Sequence, residues 1–68
     1  DAIEVACARA TREGRRMVVY GDARGYWHIT PAGEPTPNRP GVHEVARVVP
    51  GQAPAQGLGT PRSPDARG

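Results

Sequence analysis

Phenylalanine and lysine are absent from this sequence, cysteine occurs only at Cys7, and one tryptophan and two tyrosines are the only aromatic residues. A single cysteine excludes an intramolecular disulfide, and together with two histidines at unrelated spacings it fits no zinc-binding pattern. Much of the 37% hydrophobic fraction is alanine. We therefore expect a single small domain with a thin core, because alanine buries little surface per residue.

Charge and hydropathy exclude further classes of protein. All nine basic side chains are arginine, as in the codon usage of a GC-rich bacterial genome, and the net charge of +2 neither requires nor excludes nucleic acid. No apolar run approaches the roughly 20 residues that span a bilayer. No charged-then-apolar leader opens the sequence. We expect a soluble cytoplasmic protein that does not enter a membrane.

The first fourteen residues carry the signals of a short helix with defined ends. Asp1 and Glu4 are spaced as a capping box, in which each side chain bonds to the backbone of the other residue. Gly14 supplies the left-handed residue that commonly ends a helix. We predict a helix over residues 2–13 whose apolar stripe, at i, i+3, i+4 and i+7, faces a sheet: Ile3, Ala6, Cys7 and Ala10.

Two β-rich segments, 16–20 and 26–30, flank the polar and glycine-containing segment 21–25. This arrangement predicts a β-hairpin. Side chains alternate between the two faces of a strand, so one set should pack on the helix: Met17, Val19, Trp27 and Ile29. The other set should form an exposed face: Arg16, Val18, Tyr20, Tyr26, His28 and Thr30. A slip of one residue in register would exchange the two sets.

Proline divides the chain, because all eight prolines lie at or beyond Pro31. Four prolines and two glycines in residues 31–41 forbid ladder pairing and predict a connector. Residues 42–49 favour a third strand, although a helical stripe also fits them. Residues 50–68 hold four prolines, four glycines and one large apolar side chain, Leu58, and we expect a disordered tail.

The predicted fold class is therefore α+β: one N-terminal helix packed on a β-hairpin with a third antiparallel strand, followed by a disordered Pro/Gly-rich tail. Residues 1–49 would form the domain, with the Pro-rich connector 31–41 inside it, and residues 50–68 the tail. The capping pattern at Asp1 and the trailing segment suit an intact small protein; a piece of a longer chain is the open alternative.

Catalysis has little support in the sequence. Cys7 lies on the apolar stripe, where cysteine usually behaves as a small buried hydrophobe. His28 has no carboxylate spaced to orient it, and the adjacent strand residues His43 and Glu44 point to opposite faces. No glycine-rich phosphate loop follows a strand. We expect no enzyme activity, no cofactor or metal and no small-molecule substrate.

The preferred hypothesis is a small, non-catalytic intracellular protein with a binding or regulatory role. Tyr, Trp and Arg are frequent interface anchors, and a thin-cored domain often gains stability from a partner or a second copy. A protein partner or a homodimer would use the exposed hairpin face, through Arg16, Tyr20, Arg24, Tyr26 and His28. An outer strand, either 16–20 or 42–49, could also pair edge to edge.

The alternative hypothesis is a small nucleic-acid-binding module. Its phosphate contacts would come from arginines near the end of the helix, Arg12, Arg15 and Arg16, with Arg24 in the hairpin loop. Tyr20, Tyr26 or His28 would stack on or touch bases. The helix dipole alone also explains cations at that position, and nearby acidic residues would partly neutralise them. The PxxP spacings at 37–40 and 61–64 arise easily in a proline-rich chain, so a passive connector and tail are preferred.

Overall fold

The computed structural model describes residues 1–54 and contains one helix and three strands. Helix α1 (Ala2–Glu13) is followed by β1 (Met17–Gly21), β2 (Trp27–Pro31) and β3 (His43–Val48). The strands form one sheet in the order β2-β1-β3, in which both outer strands run antiparallel to β1. The α+β class, the hairpin and the third antiparallel strand are therefore as predicted.

Helix α1 has the predicted ends and the predicted buried face. The backbone N–H of Glu4 donates to Oδ1 of Asp1 at 2.9 Å, and Gly14 adopts the left-handed conformation at φ 67°. The residues that α1 buries are all small: Ala2, Ala6, Cys7 and Ala10. Ile3, expected on the same stripe, is only partly buried. A face of small side chains lets the helix approach the sheet closely, which a core with so few large residues requires.

The core lies between α1 and one face of the sheet. Met17 and Val19 of β1 and Val48 of β3 are fully buried there, and Ile29 and Ala46 pack against them in part. Trp27 was predicted to join this set. The structure shows that prediction to be wrong, because the Trp27 side chain is 55% exposed and lies outside the buried cluster.

Strand β1 is the central strand, which changes the expected environment of its outward-facing side chains. Tyr20 is flanked across the ladders by His28 of β2 and Glu44 of β3, and is only 8% exposed. Val18 on the same face is 3% exposed. The prediction that this face exposes Val18 and Tyr20 is therefore wrong. Residues 16–20 also do not form an outer strand, since β2 and β3 occupy the two edges.

The connector joins one edge of the sheet to the other. Pro31 belongs to β2 and lies opposite Met17, whereas ladder pairing was not expected in residues 31–41. A terminal proline is tolerated there because β2 is an edge strand. Farther on, the N–H of Ala23 in the hairpin loop donates to the carbonyl of Pro40 at 2.9 Å. Gly41 allows this close approach, because a Cβ built at this position would lie 2.7 Å from Cβ of Ala23.

The first residues after β3 return to the helix. The N–H of Gly51 donates to Oγ1 of Thr11 at 2.8 Å. The N–H of Val49 donates to the side-chain oxygen of Gln52. Residues 50 and 51 form a turn, and residues 55–68 of the predicted disordered tail lie outside the described residues. In residues 1–54, no helix is both long and apolar enough to cross a bilayer.

Candidate interaction surfaces

Exposed aromatic side chains gather at the end of the sheet that carries the hairpin loop. Gly21, the last residue of β1, lies opposite Trp27 on one side and His43 on the other. Because Gly21 has no side chain, the two rings close over its backbone: a built Cβ would lie 3.5 Å from Cζ3 of Trp27 and 3.2 Å from Nε2 of His43. These residues, with Tyr26, line a shallow cleft of about 140 Å3.

Tyr26 and Arg24 extend this area onto the hairpin loop. Tyr26 is 58% exposed, and the guanidinium carbon of Arg24 lies 5.5 Å from the centroid of its ring, within cation–π range. We call the exposed residues Arg24, Tyr26, Trp27 and His43 the turn-end surface. It combines two aromatic rings, an imidazole and a guanidinium within one short stretch of the sheet.

The hairpin loop that carries the turn-end surface is held by a buried carboxylate. Oδ1 of Asp22 accepts the backbone N–H groups of Arg24 at 2.8 Å and Tyr26 at 3.1 Å. Its other oxygen, Oδ2, lies 2.7 Å from Nε2 of His28. The carboxylate can only accept, so Nε2 of His28 carries the hydrogen. The expectation that no carboxylate orients His28 is wrong.

Burial and hydrogen bonding together define the charge state of Asp22. Its side chain is 2% exposed, yet the hydrogen bond from His28, followed by those from the two loop amides, holds the pKa of the Asp22 carboxyl below its ordinary value. Asp22 is therefore ionised at neutral pH and serves as a fixed acceptor. The same carboxylate therefore orders the hairpin loop and orients the His28 ring.

Nε2 of His43 is directed toward the cleft. Nδ1 of His43 lies 2.9 Å from the carbonyl oxygen of Gly41, which can only accept, so Nδ1 carries a hydrogen. In the neutral ring Nε2 then has a free lone pair beside Gly21. In this form His43 offers a hydrogen-bond acceptor on the turn-end surface, across Gly21 from Trp27.

The sequence-predicted contact residues fall in three different places. Arg24 and Tyr26 belong to the turn-end surface. Tyr20 and His28 lie inside the sheet layer, where Tyr20 is buried and His28 is half-buried against Asp22. Arg16 is exposed beyond the other end of β1. The structure therefore does not bring the five residues together on one face.

The predicted phosphate contacts come from one short segment of the chain, residues 12–16. Arg12, Arg15 and Arg16 are exposed at the carboxyl end of α1, and none of them forms an ion pair within residues 1–54. Arg9, by contrast, hydrogen-bonds to Glu13 at 2.9 Å, and this bond, with the charges of Arg15 and Arg12, lowers the pKa of the Glu13 carboxyl. Arg16 also borders an open groove of about 410 Å3, whose other charged residue is Arg47.

Sequence reasoning missed Trp27 and His43 as surface residues. The glycine at position 21 was a usable signal, since a glycine at a strand end leaves room for neighbouring rings. Placing His43 beside it requires knowing that β3 pairs with β1, which no local pattern specifies.

Neither a metal-binding cluster nor a similarity to known proteins indicates a function. Among the described residues, no three His, Cys, Asp or Glu side chains lie close enough together to hold a metal ion. Comparisons of the chain with protein-family models, with curated proteins and with solved structures find no match.

Proposed function

We propose that this chain is a small, non-catalytic protein-binding module of the cytoplasm, with a regulatory or accessory role, and that its turn-end surface contacts the partner. The observation that supports this proposal is the exposure of Trp27. The largest side chain in the sequence is 55% exposed in a domain with few large core residues. Trp, Tyr and Arg are the residue types most enriched among interface anchors.

The turn-end surface is also preorganised for binding. Its loop is fixed by three hydrogen bonds to the Asp22 carboxylate and by the link from Ala23 to the connector. The Trp27 ring passes near Gly21, where an added Cβ would lie 3.5 Å from Cζ3. A loop that is already ordered loses less entropy on binding, which favours affinity.

The proposal is tested by comparing the wild-type chain with Trp27→Ala and Tyr26→Ala in affinity capture from a cytoplasmic extract, quantified by mass spectrometry. A partner bound at the turn-end surface should be retained by the wild type and depleted at least tenfold by either variant, since truncating an anchor residue costs about 2 kcal/mol or more. Titration of a recovered partner should also shift the emission of Trp27, the only tryptophan.

Val5→Ala is the matched control, because Val5 is an apolar residue of the helix with a similar exposure of 56%. This variant should retain the same partners as the wild type. Equal capture by the wild type and Trp27→Ala, or equal loss in all three variants, would contradict binding at the turn-end surface.

A second candidate function, nucleic-acid binding, is favoured by the three exposed arginines at the carboxyl end of α1, which form no ion pair within residues 1–54. The matching experiment measures binding to single- and double-stranded oligonucleotides over a range of salt concentrations. Replacing Arg12, Arg15 and Arg16 by glutamine should weaken binding and reduce the slope of log K against log salt by about 2 for single strands. Oligonucleotide binding that survives this triple change would remove the arginines from the proposal.

A further inference from the structure

The two edges of the sheet differ in their availability to another strand. On β2, a guanidinium nitrogen of Arg9 donates to the carbonyl of Ile29 at 3.0 Å, and Pro31 has no N–H to offer. Strand β3 contains no proline, and no side chain or loop within residues 1–54 hydrogen-bonds to its backbone. An edge strand with unpaired backbone groups is a template for a further strand. The open edge is therefore β3.

The sequence around β3 is complementary to itself. Residues 42–49 read VHEVARVV, and a second copy laid antiparallel about the midpoint between Val45 and Ala46 places Glu44 opposite Arg47 of that copy, twice. The same register places Val42 opposite Val49. A shift of one residue in either direction puts Glu44 opposite Ala46 or Val48 instead. Opposite charges directly across a ladder stabilise a strand pair, and like charges destabilise it.

This register requires Glu44 and Arg47 to lie on the same face of the sheet, and a bulge in β3 allows this. Residues three apart in a regular strand point to opposite faces. Here the pairing with β1 shifts between Val19 and Tyr20, so that Glu44 lies opposite Tyr20 while Arg47 lies opposite Val18. Val45 is left as the extra residue of the bulge. Glu44 and Arg47 consequently share the face of the sheet away from the helix, and the two cross-copy pairs would lie side by side.

The charged pair and its apolar neighbours are accessible in the single chain. Glu44 and Arg47 already bond to each other at 2.8 Å, with side chains 42% and 66% exposed, and this bond lowers the pKa of the Glu44 carboxyl. Val45 and Val49 are 43% and 46% exposed. A bulge and charges on an edge usually discourage strand addition, but here their arrangement matches a second copy of the same strand.

We propose that β3 of one copy pairs antiparallel with β3 of a second copy, with Glu44 of each opposite Arg47 of the other. The result is a two-fold dimer with one continuous six-stranded sheet. Because the contact is a single strand pair, the dimer is weak and concentration-dependent. The dimer contact shares only His43, the first residue of β3, with the turn-end surface, and the proposal does not depend on binding there.

Charge reversal separates this dimer from other causes of association. The chain has a monomer mass of 7.2 kDa, and light scattering over a concentration series should show the wild type approaching twice that mass. Glu44→Arg alone and Arg47→Glu alone each place like charges across the ladder, so each should stay monomeric at concentrations where the wild type is mostly dimeric. Mixed in equal amounts, the two variants should form a heterodimer. The mixture restores only the pairs between chains, because each chain still carries like charges at positions 44 and 47.

Glu34→Arg and Arg39→Glu are the matched controls, since both positions are exposed in the connector, outside the sheet. Both controls should dimerise like the wild type, and circular dichroism should show all variants folded. A wild type that remains monomeric at millimolar concentration would overturn the proposal. So would single variants that still dimerise, controls that dissociate as the single variants do, or a mixture of the two single variants that stays monomeric.

Discussion

Replacing Trp27 by alanine should cost less stability than replacing Met17, even though tryptophan is the larger side chain. Met17 is fully buried between helix and sheet, and truncating such a residue to alanine typically costs about 2–5 kcal/mol. A tryptophan in a core would lose about 3–5 kcal/mol, but Trp27 is 55% exposed, so we expect about half of that or less, about 1–2 kcal/mol. Domains have about 0.05–0.15 kcal/mol of stability per residue, which gives about 3–8 kcal/mol for residues 1–54.

Met17→Ala should therefore remove a large share of the stability, whereas Trp27→Ala should leave the domain folded. Urea unfolding followed by far-ultraviolet circular dichroism measures both variants, because Trp27→Ala removes the fluorescent reporter. Val5→Ala serves as the exposed control and should change the free energy of unfolding by no more than about 0.5 kcal/mol. A Trp27→Ala variant as unstable as Met17→Ala would refute this account and place Trp27 in the core.

Two further predictions concern the hairpin loop and the connector. The pKa of Asp22 is lowered chiefly by the hydrogen bond from His28, so the stability that this carboxylate provides is full above its unfolded pKa of about 3.9 and is lost as pH falls through the lower folded value. Asp22→Asn should therefore flatten the decline of the urea midpoint below about pH 4; an unchanged decline would contradict this role. Gly41→Ala should destabilise more than Gly33→Ala, although both glycines have positive φ, because only the Cβ at position 41 would meet Ala23. Urea unfolding should show that Gly33→Ala lowers the free energy of unfolding by about 1–2 kcal/mol through backbone strain, and that Gly41→Ala lowers it further through overpacking. Equal losses in the two variants would show that the connector does not pack tightly against the hairpin loop.

Local patterns in the sequence predicted the helix better than the strands. The capping box at Asp1, the apolar stripe and Gly14 each act within a few residues, and together they predicted the observed bounds Ala2–Glu13. The hairpin strands begin and end one residue later than predicted, since the strand signal of β-branched residues has no comparable terminal residue. In this chain, local sequence therefore predicts whether a segment is a helix or a strand, but it predicts the ends of the strands less accurately.

The environment of the aromatic residues could not be predicted, because it depends on strand order. Alternation correctly placed Tyr20 on the face away from the helix, but burial there follows from β3 pairing with β1, a contact distant in sequence. Trp27 lies at the predicted alternating position of its strand. Its cross-strand neighbour, however, is Gly21, which has no side chain to cover the ring. The Asp22–His28 contact is likewise a diagonal one across the hairpin, visible only once the register is known.

Trp27, the anchor of the turn-end surface, lies on β2, at the edge of the sheet opposite the proposed β3 contact. A dimer formed through β3 leaves both β2 strands at the outer edges of the six-stranded sheet, so Trp27 would occur twice, related by the two-fold axis. The two copies lie five strand spacings apart across the sheet, about 24 Å, and they are also offset along the strands, because Trp27 is level with His43, which lies opposite Val48 of the other copy. A partner with two binding sites at that separation would gain avidity from the dimer, whereas a partner with one site would not. The charge-reversed monomer Glu44→Arg, whose turn-end surface is unaltered, should therefore lose affinity only for partners that engage both copies.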